Sequence, residues 1–466
     1  MIPANETLHG VYEGLVRESV MPSFKESISF LLNLLRWLGL LVPLAVVVGS
    51  SCALFLWMLE WVTQYRFMHP AILYGLPFAG VAVALSYYWW GGRAGGGNNL
   101  IIDEIHQPSE GVPLRMAPLV FIGTVVSHLF GASVGREGTA VQMGGSLASS
   151  FAKWFRLDKR STSILLTAGV ASGLGAVYGT PITGAVFGLE VLTLGALDYS
   201  ALLPVAVTSI IADWTCHQWG IHHAVYPVTF KGLAAPGQIP FHVDAVLWVK
   251  VAIAAVAFGF ASRAFAEGVY RLGPVIKKIC PTPWLQPAIG GVATILLVWL
   301  LGTRDYLGLG VMAPEAGGAS IVNFFSTTHY DWSWLLKLVF TVIALATGYK
   351  GGEVTPLFFI GAGLGNALAP VLGVPGDLLA GVGMVAVFGG AVNTPLACTI
   401  MGVELFGGAN IVYYATGCFI AYLCSGHTGI YLSQKVGVPK VWRPDFVPGI
   451  ALRRTREGIW KEEEQL

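Results

Sequence analysis

The stretch Gly135-Arg136-Glu137-Gly138-Thr139-Ala140-Val141-Gln142-Met143-Gly144-Gly145 sets two ionisable side chains between glycines at the mouth of an apolar helix. Glycine on either side lets the backbone bend and exposes its N–H groups. The helix predicted from Ala140 to Phe155 turns the positive end of its dipole toward this point. Together these residues describe an anion site with a carboxylate inside it. From Thr139 to Lys153 a helix runs roughly 21 Å, at 1.5 Å per residue. Glu137 therefore lies well within a hydrocarbon layer about 30 Å thick. A carboxylate at such a depth is functional by default; a buried ion pair or a helix cap is the bland alternative.

Working outward, 55% of the residues are hydrophobic and only 11% are charged, against about 25% charged in soluble domains; mean hydropathy is +0.66. Apolar runs recur at Ser27 to Val62, Ala71 to Trp90, Leu202 to Trp219, Val246 to Ala264, Ala288 to Leu301 and Leu335 to Thr347, many near the ~20 residues a spanning helix needs. The expectation is an all-α, polytopic membrane protein: one transmembrane transport domain over residues 1–466, with no separate soluble domain. The segment carrying Glu13, Arg17, Glu18 and Lys25 is too mixed in charge for a signal peptide and reads as a surface helix. A net charge of +1 gives no case for nucleic acid as a partner. Basic residues gather at Lys153, Arg156, Lys159 and Arg160, at Lys277 and Lys278, and at Arg453, Arg454 and Arg456. By the positive-inside rule these faces, and the C-terminus, are cytoplasmic. Six scattered cysteines without C-x-x-C spacing read as small core hydrophobes.

The chain also repeats itself. Gly173 to Pro181 leads to Gly188-Leu189-Glu190, and Val387 to Pro395 leads to Gly402-Val403-Glu404, so that 181 and 395, like 190 and 404, are 214 apart. Upstream, Met143-Gly144 and Ile360-Gly361 are 217 apart. Two structural repeats follow, about 27–220 and about 245–435, with 436–466 as a short cytoplasmic tail. Paired transporter repeats are often inverted, and they place a substrate site where broken helices of both halves point inward. Here the breaks are 135–139 and 351–356. Glu353 stands just before the second-half helix, either for function or to stabilise its dipole.

With these segments in place, the chain resembles the CLC family of chloride channels and anion/proton exchangers. Gly135 to Gly145 looks like its GREGP-x-V-Q-x-G-G signature, Gly352-Glu353-Val354-Thr355-Pro356 its G-x-F-x-P segment, and Gly95-Gly96-Gly97-Asn98-Asn99 its G-S-G-I-P segment. Tyr431 falls where the family has its central tyrosine. The resemblance implies a CLC-type fold of two inverted repeats with broken, tilted helices, a homodimer with one pore per subunit, and cytoplasmic termini. Glu137 would be the gating glutamate, which competes with the anion when charged and swings away when protonated; Tyr431 would offer its hydroxyl to the central anion.

Departures from the common pattern narrow the branch. Proline of GREGP is Thr139, the serine of G-S-G-I-P is Gly97 or Asn98 depending on alignment, and the phenylalanine of G-x-F-x-P is Val354, flanked by Glu353 and Thr355. These changes resemble the fluoride/proton antiporter branch. The internal proton glutamate of chloride exchangers would fall at about Val191, with Glu190 next door. Fluoride is small and tightly hydrated, so a site must replace its water with compact donors. Thr139, Thr355, Asn98 or Asn99, and Tyr431 supply them, beside backbone N–H groups such as that of Gly138 at the helix ends. Either threonine is alternatively a helix N-cap.

The resulting expectation is a fluoride/proton antiporter that exports fluoride in exchange for protons, in a bacterial inner membrane, without cofactor or metal. Glu137 would carry the proton, with Glu353 and Thr355 on an inner route. A chloride/proton exchanger or passive anion channel is the alternative within the resemblance. From another class, Gly131-Ala132-Ser133-Val134-Gly135 satisfies the G-x-S-x-G spacing of a serine hydrolase, with His128 nearby, but in an apolar helical context foreign to that motif. His217, His222 and His223 lack nearby acidic ligands in this reading and are taken as a membrane-interface feature.

Overall fold

A computed structural model describes residues 24–231 and 243–460; the expected surface helix around Glu13, Arg17 and Glu18 lies outside the described residues. The first half contains α1 (Phe24–Met68), α2 (Leu76–Trp90), α3 (Gly97–His106), α4 (Met116–Phe130), α5 (Glu137–Trp154), α6 (Lys159–Tyr178), α7 (Pro181–Glu190) and α8 (Leu202–Gln218). The second contains α9 (Ala245–Ile279), α10 (Gln286–Leu301), α11 (Ser333–Ala346), α12 (Val354–Leu372), α13 (Gly376–Val392), α14 (Pro395–Phe406) and α15 (Ile411–Cys424), with a short α16 (Leu452–Arg456) following. Seven described spans have the length and apolar character to cross a bilayer, and shorter apolar helices such as Met116–Phe130 and Gly376–Val392 accompany them. Large side chains including Trp57, Phe78, Trp214 and Leu300 stay exposed on the outside, which suits a protein whose lateral solvent is lipid.

Sequence punctuation sets the helix ends. Pro181 and Pro395 open α7 and α14 at the first helical position, where the missing N–H costs nothing. Gly179 and Asn393, at φ 70° and 61°, close α6 and α13 in the left-handed conformation. α4, α5 and α6 start at 116, 137 and 159, and α11, α12 and α13 at 333, 354 and 376, each 217 later.

Contacts between the halves carry the symmetry. Gly135 and Gly352, also 217 apart, form an isolated antiparallel bridge, with N–H to O distances of 2.5 and 2.8 Å in the two directions. Glu190 accepts the backbone N–H groups of Leu396 and Ala397 at 3.0 and 2.7 Å. Reciprocally, Glu404 accepts those of Ile182 and Thr183 at 3.0 and 2.8 Å. Equivalent residues contacting each other both ways is what a two-fold axis produces. Glu190 and Glu404 therefore share a packing position, each capping the opposite half's helix start.

Small residues let the paired helices touch. A Cβ on Gly144 of α5 would run into the Gly169 carbonyl of α6, and one on Gly361 of α12 into the Gly383 carbonyl of α13. Such close approach lets van der Waals contact hold helices together where lipid removes the hydrophobic drive between them.

One feature departs from the all-α expectation. Strands β1 (Thr193–Leu194), β2 (Lys435–Val436) and β3 (Ile450–Ala451) form a small sheet in that order, β1 parallel to β2 and β2 antiparallel to β3. Leu194, Val436 and Leu452 make its own buried cluster. The described part of the segment after residue 435 is thus knitted to the first half instead of trailing from the second.

Candidate functional site

Three helices begin at one place. α5 and α12 start beside the Gly135–Gly352 bridge, and neither has a side-chain cap on its first turn from its own N-cap residue, Arg136 or Glu353. That settles the N-cap alternative for Thr139 and Thr355: both lie inside their helices. α3 starts at Gly97, held at φ 55°. A Cβ on Gly138 would lie 3.2 Å from Asn98 Nδ2, 3.3 Å from Glu353 Oε2 and 3.0 Å from the Gly352 Cα, so both side chains converge on the first turn of α5. Positive helix ends gathered with free N–H groups form an anion site.

The Glu137 side chain occupies that position. Fully buried, it accepts a short hydrogen bond from Thr355 Oγ1, one from Thr355 N–H at 3.0 Å and one from Arg136 N–H at 3.1 Å. The carboxylate of the first half thereby caps the helix of the second. Arg136 Nε is 3.4 Å from Glu137 Oε1 without the alignment of a hydrogen bond, and its guanidinium lies 5.9 Å over the Tyr178 ring. Arg136 thus pairs locally with the carboxylate.

The remaining expected residues surround this point in different ways. Asn98 Oδ1 and Glu353 Oε2 are buried and unpartnered. Asn99 is committed elsewhere, accepting the Ser433 N–H at 3.0 Å. Val354 and Tyr431 are 1% and 4% exposed. A Cβ on Gly97 would lie 3.5 Å from Gln142 Nε2. Thr139 is buried with its hydroxyl 2.6 Å from that of Thr124 on α4, which ties α5 to α4.

Two cavities reach residues of this site. One of about 450 Å³ is lined by Glu60, Arg66, Arg136, His222, His223 and Gly310. The other, about 370 Å³, reaches Glu353 past Gly429, Ile430 and Lys277. Lys277 lies near the end of α9, whereas His222 and His223 lie in the loop after α8. Arg136 lines the first cavity and Glu353 the second, and fully buried Glu137 contacts the Arg136 backbone N–H and the Thr355 N–H near Glu353 in sequence.

Several residues here escaped the sequence reading. The Tyr178 hydroxyl is buried without a hydrogen bond of good geometry and adjoins Glu137 and Thr355. The signal was available, because its repeat equivalent 214 positions later is Val392. Lys337 is fully buried, its ammonium donating to the Tyr306 and Gly308 carbonyls at 3.1 and 2.6 Å; a lone lysine in an apolar run is a functional flag. Arg66 is buried as well and donates to the His128 carbonyl at 2.6 Å. Arg66 also lines the cavity that Arg136 lines.

Glu104 is 2% exposed; it pairs with Arg93 at 2.6 Å and accepts from Ser109 N–H and Oγ. Two further sequence features find their places. The hydrolase spacing builds no catalytic pair: Ser133 Oγ bonds Thr341 Oγ1 at 2.9 Å, and His128 Nε2 faces the Gly135 carbonyl at 3.3 Å. The histidine group does have an acidic neighbour, Asp213, one turn before His217.

Comparison with known proteins agrees with this architecture. The family profile described as "Voltage gated chloride channel" matches residues 79–426. The chain is 47% identical over 427 residues to a "Chloride/fluoride channel protein" of Pseudomonas syringae pv. tomato, covering 90% of each. Among solved structures it is similar to a CLC-type fluoride/proton antiporter at 33% identity and a TM-score of 0.79, covering 87% of this chain and 99% of the other. It also shares the fold of a slow cyanobacterial Cl⁻/H⁺ antiporter, at 20% identity and a TM-score of 0.68, covering 84% and 94%.

Proposed function

Because the chain belongs to the voltage gated chloride channel family, we propose that it is a fluoride/proton antiporter exporting fluoride from the cytoplasm in exchange for protons. One observation carries the reading: the Glu137 carboxylate holds the N–H and hydroxyl of Thr355 at the opposite half's helix end. A carboxylate there stands in for the transported anion, since both want the same donors and the same positive dipole. Protonation removes the charge that holds Glu137 in place and turns one oxygen into a donor. The side chain then leaves, carrying its proton, and an anion takes the vacated donors. Return of the charged carboxylate expels the anion, so the two ions alternate.

Glu353, with its unpaired buried oxygen facing Gly138 and its place on the Lys277 cavity, is the inner proton relay in this scheme. The compact donors Thr355, Asn98 and Tyr431, the backbone at Gly97 and Gly138, and the absence of a phenyl group at Val354 suit a small, strongly hydrated anion. Thr139 contributes by holding α5 against α4. That a relative is named for chloride and fluoride, and a structural neighbour for fluoride/proton antiport, supports the ion choice. The basic connector at 153–160 supports a cytoplasmic placement of that face and of the C-terminus, in an inner membrane; the family resemblance supports a homodimer with one pathway per subunit.

Purified protein in liposomes, read with a fluoride electrode and a pH probe, tests the proposal. Wild type is expected to move fluoride with coupled protons and to discriminate against chloride. Glu137→Gln is expected to lose proton movement. Equal chloride flux, or fluoride flux without protons in the wild type, would establish the passive anion channel or chloride exchanger instead.

A further inference from the structure

The end of α8 and the loop after it carry an arrangement to which the proposed cycle assigns no part. Asp213 and His217 are four residues apart on α8 and therefore share a helix face. Gly220, at φ 78°, turns the chain, and His223 comes back against them. His217 Nδ1 is 3.3 Å from Asp213 Oδ1, and the His217 and His223 ring centroids are 5.3 Å apart. One ligand atom from each of the three residues lies within 4.8 Å of the other two.

His217 Nδ1 is also 3.1 Å from the Asp213 main-chain carbonyl oxygen, a bond one turn apart that accounts for His217 Nδ1 but not for the Asp213 carboxylate or His223. Asp213 Oδ1 and His223 Nε2 are both buried without a hydrogen-bond partner. Two such orphaned polar atoms beside each other are costly, and a cation that accepts both lone pairs removes the cost. His217 occupies the last turn of α8, where the negative end of the helix dipole favours positive charge.

We propose that Asp213, His217 and His223 form a binding site for a zinc-class divalent metal ion. Two imidazoles and one carboxylate, with a fourth position open, are a donor set that suits tetrahedral Zn²⁺. Ligand atoms about 2.0 Å from a metal stand closer together than the observed limit, and the exposed His217 side chain is free to rotate inward. His223 also lines the cavity that Arg136 and His222 line, so a bound dication adds positive charge beside the approach to Glu137.

The test uses the untagged full chain in detergent, stripped with chelator and titrated with ZnCl₂ by calorimetry and with CoCl₂ by visible absorption. One saturable equivalent per chain is expected, with the intense d–d bands of tetrahedral cobalt. His217→Ala and His223→Ala are each expected to weaken zinc binding about tenfold or more, and His217→Cys, which keeps a ligand, to restore it. His217 is exposed, so gel filtration and zinc-free fluoride flux of His217→Ala should match wild type and certify its fold. No saturable binding by the wild type, or wild-type affinity in either alanine variant, overturns the proposal.

Discussion

Thr355 gives one carboxylate two donors, its own N–H and its hydroxyl, and in the proposed cycle both pass to the anion. Losing a hydrogen bond to a charged group costs about 1.5–3 kcal/mol. Thr355→Val is accordingly expected to reduce the preference for fluoride over chloride about ten- to hundredfold, while Thr355→Ser keeps it; an unchanged preference in the valine variant removes Thr355 from anion selection. Glu137→Gln belongs to the same scale, because it keeps the shape of the side chain and removes its charge and its proton. Glu137 was legible from its glycines and its depth. Its bond to Thr355 was not, since the two residues are 218 apart and spacing says nothing of such pairs. Tyr178 was hidden for a different reason: an aromatic in an apolar run reads as core until Arg136 and Glu137 are found against it.

Glu190 and Glu404 each hold a helix end of the opposite half. Each closes the first turn of the opposite half's helix through two backbone N–H groups, and a carboxylate so placed stabilises by about 1–2 kcal/mol. Glu190→Gln and Glu404→Gln are expected to lower thermal stability by similar amounts and to leave the proton-to-fluoride ratio unchanged. Loss of coupling in Glu190→Gln alone would instead give Glu190 a share of the proton traffic. The repeat spacing predicted that these two residues are equivalent. Only the folded chain shows that each reaches across to the other half, because the two-fold relation turns a repeat along the sequence into a reciprocal contact.

Across the whole molecule, Gln434 joins three parts. Its amide donates to the Val191 carbonyl of the first half and the Val392 carbonyl of the second, both at 2.8 Å, and its oxygen accepts from Asn393 at 3.1 Å. Gln434→Leu leaves buried carbonyls unpaired at about 1–3 kcal/mol each. Unfolding followed by tryptophan fluorescence should shift to clearly lower temperature; an unshifted midpoint would mean that the small sheet alone docks this segment. Composition and hydropathy by themselves determined the membrane class, because each apolar span needs only its own residues to satisfy its backbone. The glycine-flanked glutamate and the 214-to-217-residue repeat located the two helix breaks. Tertiary structure alone decided that the breaks meet, that Glu137 occupies the opposite helix end, that the segment after residue 435 pairs with β1, and that Asp213 joins the histidines. Those outcomes depend on which distant surfaces folding brings together, and spacing along a chain does not encode such long-range contacts.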